Sequence, residues 1–456
     1  MFKSKNNLFN FCGLAAGGSK NFFFKIERRA STHLKKTDSA SSNFDVVIIG
    51  GGAIGMSIAF WIKKKSAGAA KVLVIEKDLK YSTASAVLSA GGLRQQFSLK
   101  TNVLLSLFGA EFIKNFQKYS CSKDEEFDFG FKECGYLTLC SQEGFSILKE
   151  NHENQRQWGA ENQLLTPCEM KSKFPWLNVD GVALGCLGLK YEGSFDPWSY
   201  LTTLVSEAKK LGTHFIEGQP IEFCSNKLKN CTREIQSITI KKSNGEIEKV
   251  NCLNCILAAG AYTGRIAKEL LNLDKRESGL LQFEIPIEPR KRFIYCYENP
   301  DLESKTHMPM VIDPTGVYVR REGNANKYIC GCSPGCAEEE PDNKNLEVDY
   351  EYFTDKIWPI LSFRIPCFEK LRLKSAWAGY YELNEFDKNG IVGYHPAYSN
   401  LIIASGFSGH GLQHSPGVGN AVSELLIDGC YKTIDLTPLC FDRIIENKPL
   451  LEREII

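Results

Sequence analysis

The sequence has no uninterrupted apolar run of the roughly 18 residues that a bilayer-spanning helix needs, so only peripheral attachment to a membrane is physically reasonable. It has almost no net charge: 55 basic residues face 54 acidic ones, a formal +1. No whole-chain field therefore favours nucleic acid, and none is expected as a partner. There is no internal repeat. The ligand spacing of a zinc site is also missing. Among the 17 cysteines, Cys252 and Cys255 form a CxxC, and Cys330, Cys332 and Cys336 cluster. No second CxxC or spaced His pair completes either set, so no metal is expected. Reduced thiols in a reducing compartment account for them.

The remaining composition, 43% hydrophobic and 24% charged, is ordinary for a globular protein. A length of 456 residues exceeds the usual single-domain range and points to two intertwined domains behind a leader. Residues 1–43 are that leader. Lys3, Lys5, Lys20, Lys25, Arg28, Arg29, Lys35 and Lys36 face only Glu27 and Asp38, with Phe2, Leu8, Phe9, Phe11 and Phe22 to Phe24 interleaved. An acid-poor, basic leader of this kind reads as a mitochondrial presequence, with processing around Arg28 to Ser31. The alternative is a disordered cytosolic tail.

Folded structure is expected from Phe44. Asp45 to Ile49 (DVVII) suits a strand buried on both faces of a parallel sheet. Ile54 to Lys64 follows as a helix ending in lysines, and Lys71 to Ile75 (KVLVI) as a second buried strand. Tyr200 to Leu211 reads as a helix started by Asp196-Pro197. Gln282 to Cys332 alternates strand-like runs with turns, as an antiparallel sheet would. Leu401 to Ala404 returns to the buried parallel pattern, and a helix is expected over Gly417 to Leu426. Ala337 to Asn343 reads as a solvated acidic loop. Arg290, Lys291 and Arg292 alternate along a strand, so the middle one points away from its neighbours; a solvated edge is expected there. Trp198 and Trp377 read as core anchors.

The strongest motif lies between the first strand and its helix. Gly50-x-Gly52-x-x-Gly55 supplies a tight turn, a bare approach to a pyrophosphate and close helix packing. Ala53 and Ile54 open the helix, whose free N–H groups suit phosphate. Glu76 ends the next strand, 21 residues after Gly55, with Lys77 beside it, where a carboxylate accepts from ribose hydroxyls. Two further segments favour FAD over NAD. Ser82, Ser85, Ser89, Gly91 and Gly92 form a small-residue loop. Ile256 to Thr263 (ILAAGAYT, with Ala259 and Gly260) is similar to the AAG strand of glutathione-reductase-type flavoproteins. Gly406, Ser408, Gly409, His410 and Gly411 then precede a helix and suit the flavin's carbonyl edge.

With these segments the chain resembles the D-amino-acid-oxidase-type flavoprotein family, which includes sarcosine oxidases and dimethylglycine dehydrogenases. AGGLRQQFS (Ala90 to Ser98), FDPW (Phe195 to Trp198), EPRKRF (Glu288 to Phe293), SAWAGYY (Ser375 to Tyr381) and GFSGHGLQ (Gly406 to Gln413) carry the resemblance. It implies an α/β FAD-binding Rossmann-like domain of glutathione-reductase type, interleaved with an antiparallel-sheet α+β substrate domain. On this reading residues 44–125, 198–281 and 382–430 bind FAD, 126–197 and 282–381 cover the substrate, and 431–456 form an extension. The implied reaction removes hydride from a carbon attached to nitrogen, in an amine or amino-acid-like substrate. The resemblance further implies a role in assembly of respiratory complex I, with its subunits or assembly intermediates as partners, in the mitochondrial matrix or on the matrix face of the inner membrane.

Three departures sharpen this reading. Gly379 stands where sarcosine oxidases carry the cysteine that tethers FAD, so the FAD is expected to be non-covalent. Gln413 stands where they carry a lysine that pairs with the substrate carboxylate. Ile329 stands where a lysine promotes reaction with oxygen, which favours a dehydrogenase. Arg94, Tyr381 and His410 remain as substrate-side candidates. The alternative is a flavin-stabilised, non-catalytic assembly chaperone.

Overall fold

The computed structural model describes residues 42–228, 232–302, 307–323, 326–335 and 339–453. The leader lies outside them, except that Ser42 and Asn43 already belong to the first strand.

Strand β1 (Ser42–Ile49) ends in four wholly buried residues, as its β-branched run requires. The turn after it leads into helix α1 (Ala53–Lys65), which carries three lysines in its last turn. Strand β2 (Val72–Glu76) then lies parallel to β1, with Val46 opposite Val72. A long loop and helix α2 (Lys100–Lys114) lead out of this unit. The chain next builds part of a second sheet: β3 (Tyr136–Cys140), helix α3 (Phe145–Gln157), β4 (Asn162–Leu165) and β5 (Leu184–Gly188).

Helix α4 (Pro197–Lys210) brings the chain back. The Asp196 carboxylate accepts from the N–H groups of Trp198 and Ser199, and Pro197 occupies the first turn. Trp198 is 47% exposed and is no core anchor; Tyr200, Leu201 and Leu204 fill the buried face instead. Strand β6 (His214–Lys227) starts parallel to β2, then pairs antiparallel with β7 (Arg233–Lys242). Strand β8 (Ile247–Leu257) pairs first with β7 and then, parallel, with β1. Cys252 and Cys255 lie buried on β8, and the described cysteines are all free.

The second sheet is completed by β9 (Ile287–Glu298), β10 (Met310–Ile312), β11 (Tyr318–Glu322), β12 (Lys327–Gly331) and β13 (Arg372–Asn384). It has eight strands in the order β13-β9-β12-β11-β10-β3-β5-β4. All its pairs are antiparallel except β3–β10, where the two excursions of the chain meet. No hairpin joins them there, so nothing imposes antiparallel direction. Strands β14 (Ile391–Tyr394) and β15 (Leu401–Ser405) return to the first sheet, β15 parallel to β8.

Helix α5 (Gly411–Asp428) begins six residues earlier than Gly417 and contains Pro416. Proline cannot satisfy the Leu412 carbonyl, which instead accepts the Ser415 hydroxyl at 2.8 Å. Gly109 of α2 permits a close crossing there: a methyl on it would lie 2.2 Å from the Gln413 carbonyl oxygen. Among the described residues, no helix is long and apolar enough to cross a membrane.

Candidate functional site

A cavity of about 1430 Å³ runs from the C-terminal ends of β1, β2 and β8 to the face of the second sheet. That exceeds the roughly 300–1,000 Å³ of a single small-molecule site, so two ligands can share it.

The glycines of the first turn have different duties. Gly50 has φ +100°, and a methyl there would lie 2.3 Å from the Ala258 oxygen. A methyl on Gly55 would lie 2.0 Å from the Gly50 oxygen, so Gly55 packs α1 onto the strand and does not face the cavity. Gly52 has φ −68°, and a methyl there would meet nothing within 4 Å. Folding therefore does not require glycine at 52; an open cradle in the cavity wall does. Ala53 and Ile54 adjoin it at the start of α1. Glu76 accepts the Gly51 N–H at 2.7 Å and the Asp78 N–H at 3.1 Å, which aim its carboxylate into the cavity. Burial raises its pKa, opposed by those N–H groups.

Lys77, Ser85, Gly91, Gly92, Ala259, Gly260, Ser408, Gly409, His410 and Gly411 also line the cavity. Besides Gly55, two expected residues do not. Ser82 turns to Asp78, which accepts its N–H at 2.8 Å, and so serves a local turn. Gly406 packs on Ile287, where a methyl would lie 2.8 Å from Cδ1.

On the substrate side, Arg94 Nη2 lies 3.1 Å from His410 Nε2. A guanidinium can only donate, so Nε2 accepts and the His410 ring is neutral, with its proton on Nδ1. Burial first, then Arg94 and His414, hold the His410 pKa well below its ordinary value. Phe97 supports both partners, 4.8 Å from the guanidinium carbon and 4.8 Å from the imidazole centroid. His410 thus holds Arg94 and is neutral at neutral pH. The Gln413 side-chain oxygen accepts the Arg94 backbone N–H at 2.8 Å, while its Nε2 is buried without a partner. Tyr381 lines the cavity, donates its hydroxyl to the Ser408 carbonyl, and lies under Arg292 at 4.9 Å.

The basic strand is not a solvated edge. Lys291 points away and is buried, whereas Arg290 and Arg292 both line the cavity. Arg290 pairs with Glu385, and Arg292 holds Glu340 through two bonds of 2.8 Å. The acidic loop is therefore anchored at Glu340 rather than simply solvated.

Known proteins resemble this chain over most of its length. The family of FAD dependent oxidoreductases (DAO) matches residues 45–425. The chain belongs to this family. It is 46% identical over 428 residues to FAD-dependent oxidoreductase domain-containing protein 1 of Bos taurus, covering 90% of this chain and 87% of that protein. The Xenopus laevis protein of the same name is 45% identical over 428 residues, covering 90% and 85%. Among solved structures, the L-proline dehydrogenase of P.horikoshii superposes with TM-score 0.74 at 26% identity, covering 90% of this chain and all of that one.

As a DAO-family member the chain presents a wall that fits FAD: an open cradle at Gly52, a cavity-facing carboxylate at Glu76 and a helix N-terminus at Gly411. Gly379 also lines the cavity, where a methyl would lie 3.1 Å from Leu88 Cβ. Ile329 is buried within β12, outside the cavity.

Sequence reasoning missed several wall residues. Tyr262 lies under Lys77 Nζ at 4.3 Å. Glu382 of β13 accepts the Gly406 N–H at 3.0 Å, and burial pushes its carboxyl up to about 7. Its one sequence signal is an acidic residue in a strand whose other charged residues, Arg372 and Lys374, are basic. Glu452 and Arg453 reach the cavity from far along the chain, where Glu452 accepts from Ser98 N–H and Asn102 Nδ2, each at 2.6 Å. Nothing in the local sequence signals that contact.

Proposed function

We propose that this chain is a mitochondrial FAD-dependent dehydrogenase that removes hydride from a carbon attached to nitrogen in an amino-acid-like anion, holds its FAD without a covalent bond, and supports assembly of respiratory complex I. One observation carries the chemical part: Arg94, held by His410 and Phe97, shares a single cavity with the glycine loops of the dinucleotide site. The likeness to an L-proline dehydrogenase supports the same substrate class.

FAD, when bound, supplies the two-electron acceptor. The chain's residues do the rest. Gly50 to Ile54 and Glu76 hold the pyrophosphate and ribose, and the N-terminus of α5 meets the ring's carbonyl edge. Arg94 fixes the anionic group of the substrate. The second sheet covers the site against water. Gly379, at the tether position, supports a non-covalent cofactor; Ile329, buried in β12 outside the cavity, does not bear on the acceptor, and a dehydrogenase over an oxidase rests on the likeness to an L-proline dehydrogenase. The biological part rests on the basic leader of residues 1–43 and on the resemblance to an assembly protein.

Gln413 favours a second reading, a flavin-stabilised chaperone without turnover, because a neutral amide stands there and its side-chain oxygen is committed to the Arg94 backbone. The two separate experimentally. The purified protein's flavin spectrum is recorded, and amines, N-methyl amino acids and proline are screened anaerobically for bleaching. Specific bleaching supports the enzyme; flavin that no substrate bleaches supports the chaperone; a protein without flavin or flavin affinity sinks both. Acid precipitation releases a non-covalent flavin, and colour kept in the pellet contradicts that part. Import of a reporter by residues 1–43, and complex I assembly on native gels after depletion, test the biological part.

A further inference from the structure

Glu382 stands where the glycine segments converge. It lies on β13 opposite Pro289 of β9. Its Oε2 accepts the Gly406 N–H at 3.0 Å. A methyl on Gly260 would lie 3.6 Å from that oxygen, and one on Gly411 would lie 2.8 Å from Oε1. The carboxyl is therefore wedged between the turn after β8 and the first residue of α5. On the function proposed above, on which this inference rests, that same helix N-terminus faces the carbonyl edge of the flavin.

The surroundings leave the carboxyl without a counter-charge. On β9, Arg290 is taken by Glu385 and Arg292 by Glu340. The turn after β8 brings Tyr262, covered by Lys77 and Arg265. The loop before α5 brings His410, neutral beside Arg94. On its own strand, the Tyr380 and Tyr381 hydroxyls donate to the carbonyls of Asn343 and Ser408. Among the described residues none forms an ion pair with Glu382. Burial accordingly pushes the carboxyl up to about 7, against the pull of the Gly406 and Phe407 N–H groups.

We propose that Glu382 takes up a proton when the flavin is reduced, so that the charge beside the N-terminus of α5 stays constant. Hydride from the CH–NH substrate brings two electrons and one proton, and leaves one negative charge on the cofactor. A second negative charge at the same helix end, in a water-poor site, disfavours ionised Glu382. The carboxylate then takes one proton from water and becomes neutral. It returns that proton when the electrons leave to the acceptor. Two protons are taken up per electron pair instead of one.

The test uses the FAD-containing full chain, reduced chemically against reference dyes, so no substrate is needed. The flavin potential is measured from pH 6 to 9 in wild type and Glu382→Gln. Wild type is expected to take up two protons per electron pair on the alkaline side of neutrality, and Glu382→Gln one. The oxidised flavin spectrum should also titrate near neutrality in wild type and not in the variant. One-proton behaviour in both proteins, or two-proton behaviour kept in Glu382→Gln, overturns the proposal. Should the variant lose FAD, the reduced-minus-oxidised infrared difference spectrum of wild type decides: a protonated carboxyl band gained on reduction supports the proposal, and its absence overturns it. A wild-type chain that binds no FAD overturns the proposed function as well; a flavin-containing chain lacking the band overturns this inference alone.

Discussion

Replacing Gly52 by alanine is expected to separate cofactor binding from folding. Gly52 caps α1 with φ −68° and ψ −173°, angles that any residue adopts, and a methyl there meets nothing within 4 Å. Two small terms act on the FAD-free chain. Alanine restricts the unfolded state, which stabilises by about 0.4–1 kcal/mol. Alanine is also a poorer helix cap than glycine, which costs about 0.5–1 kcal/mol. The net change is within about 0.5 kcal/mol. Gly55→Ala is different, because its methyl would lie 2.0 Å from the Gly50 oxygen, a backbone atom that cannot move aside. Overpacking of that kind costs about 1–3 kcal/mol. With FAD the order reverses in its cause. The Gly52 methyl occupies the cradle through which the backbone approaches the pyrophosphate, and one lost N–H bond to a charged oxygen is worth about 1.5–3 kcal/mol. Affinity for FAD should fall roughly ten- to a hundredfold. Denaturant unfolding of the flavin-stripped proteins, followed by titration of FAD with flavin fluorescence, measures both quantities. FAD-linked stabilisation should shrink by about 1.4 kcal/mol per tenfold loss of affinity. Wild-type FAD affinity in Gly52→Ala would refute the reading of the cradle, and so would a flavin-free stability as low as that of Gly55→Ala.

Other substitutions probe other parts of the cavity. Arg94→Gln should keep its flavin yet lose roughly ten- to a hundredfold in kcat/KM for a carboxylate-bearing amine, with little change for an amine lacking the anion. Anaerobic stopped-flow reduction measures this, and equal losses for both substrates would show that Arg94 does not read the anion. Glu452→Ala removes the acceptor for Ser98 and Asn102 at the start of α2, and should cost about 1–3 kcal/mol in denaturant unfolding. An unchanged midpoint would make that contact idle. Glu192 accepts the Gln95 N–H and Gln96 Nε2, and burial pushes its carboxyl up to about 7 from 4.5. The folded state keeps a proton that the unfolded chain releases, so stability falls as pH rises from about 4.5 to about 7. Glu192→Gln should remove roughly 3 kcal/mol of that fall, leaving the part of the same sign that Glu382 contributes. A variant with the wild-type slope would contradict the assignment.

What the sequence made legible is what short-range rules govern. The runs at Val46 and Val72 declare buried parallel strands through composition alone, and both lie fully buried in register. The glycine segments are legible because bare backbone is needed to approach a ligand, and no other residue type serves. The rest depends on distant closure. Pro416 reads locally as a helix boundary, yet Ser415 satisfies the carbonyl that Pro416 leaves and the helix starts earlier. Arg290 and Arg292 look solvated until β13 pairs beside β9 and turns that face into the cavity. Glu452 meets Asn102 across 350 residues, a separation that no periodicity reports.

The residues most suggestive of chemistry changed meaning most. A histidine between two glycines at a helix start invites the role of proton carrier. Its contact with a group that can only donate commits Nε2 to Arg94 and makes His410 the holder of that guanidinium. Gln413 likewise looks like a cation lost. Its oxygen instead accepts the Arg94 backbone N–H and fixes the loop that carries Arg94. Gln413 is 3% exposed, and its Nε2, buried without a partner among the described residues, carries a desolvation cost of about 1–3 kcal/mol that a packed apolar side chain would avoid. Stability alone gives no reason to keep a buried donor in the wall of this cavity.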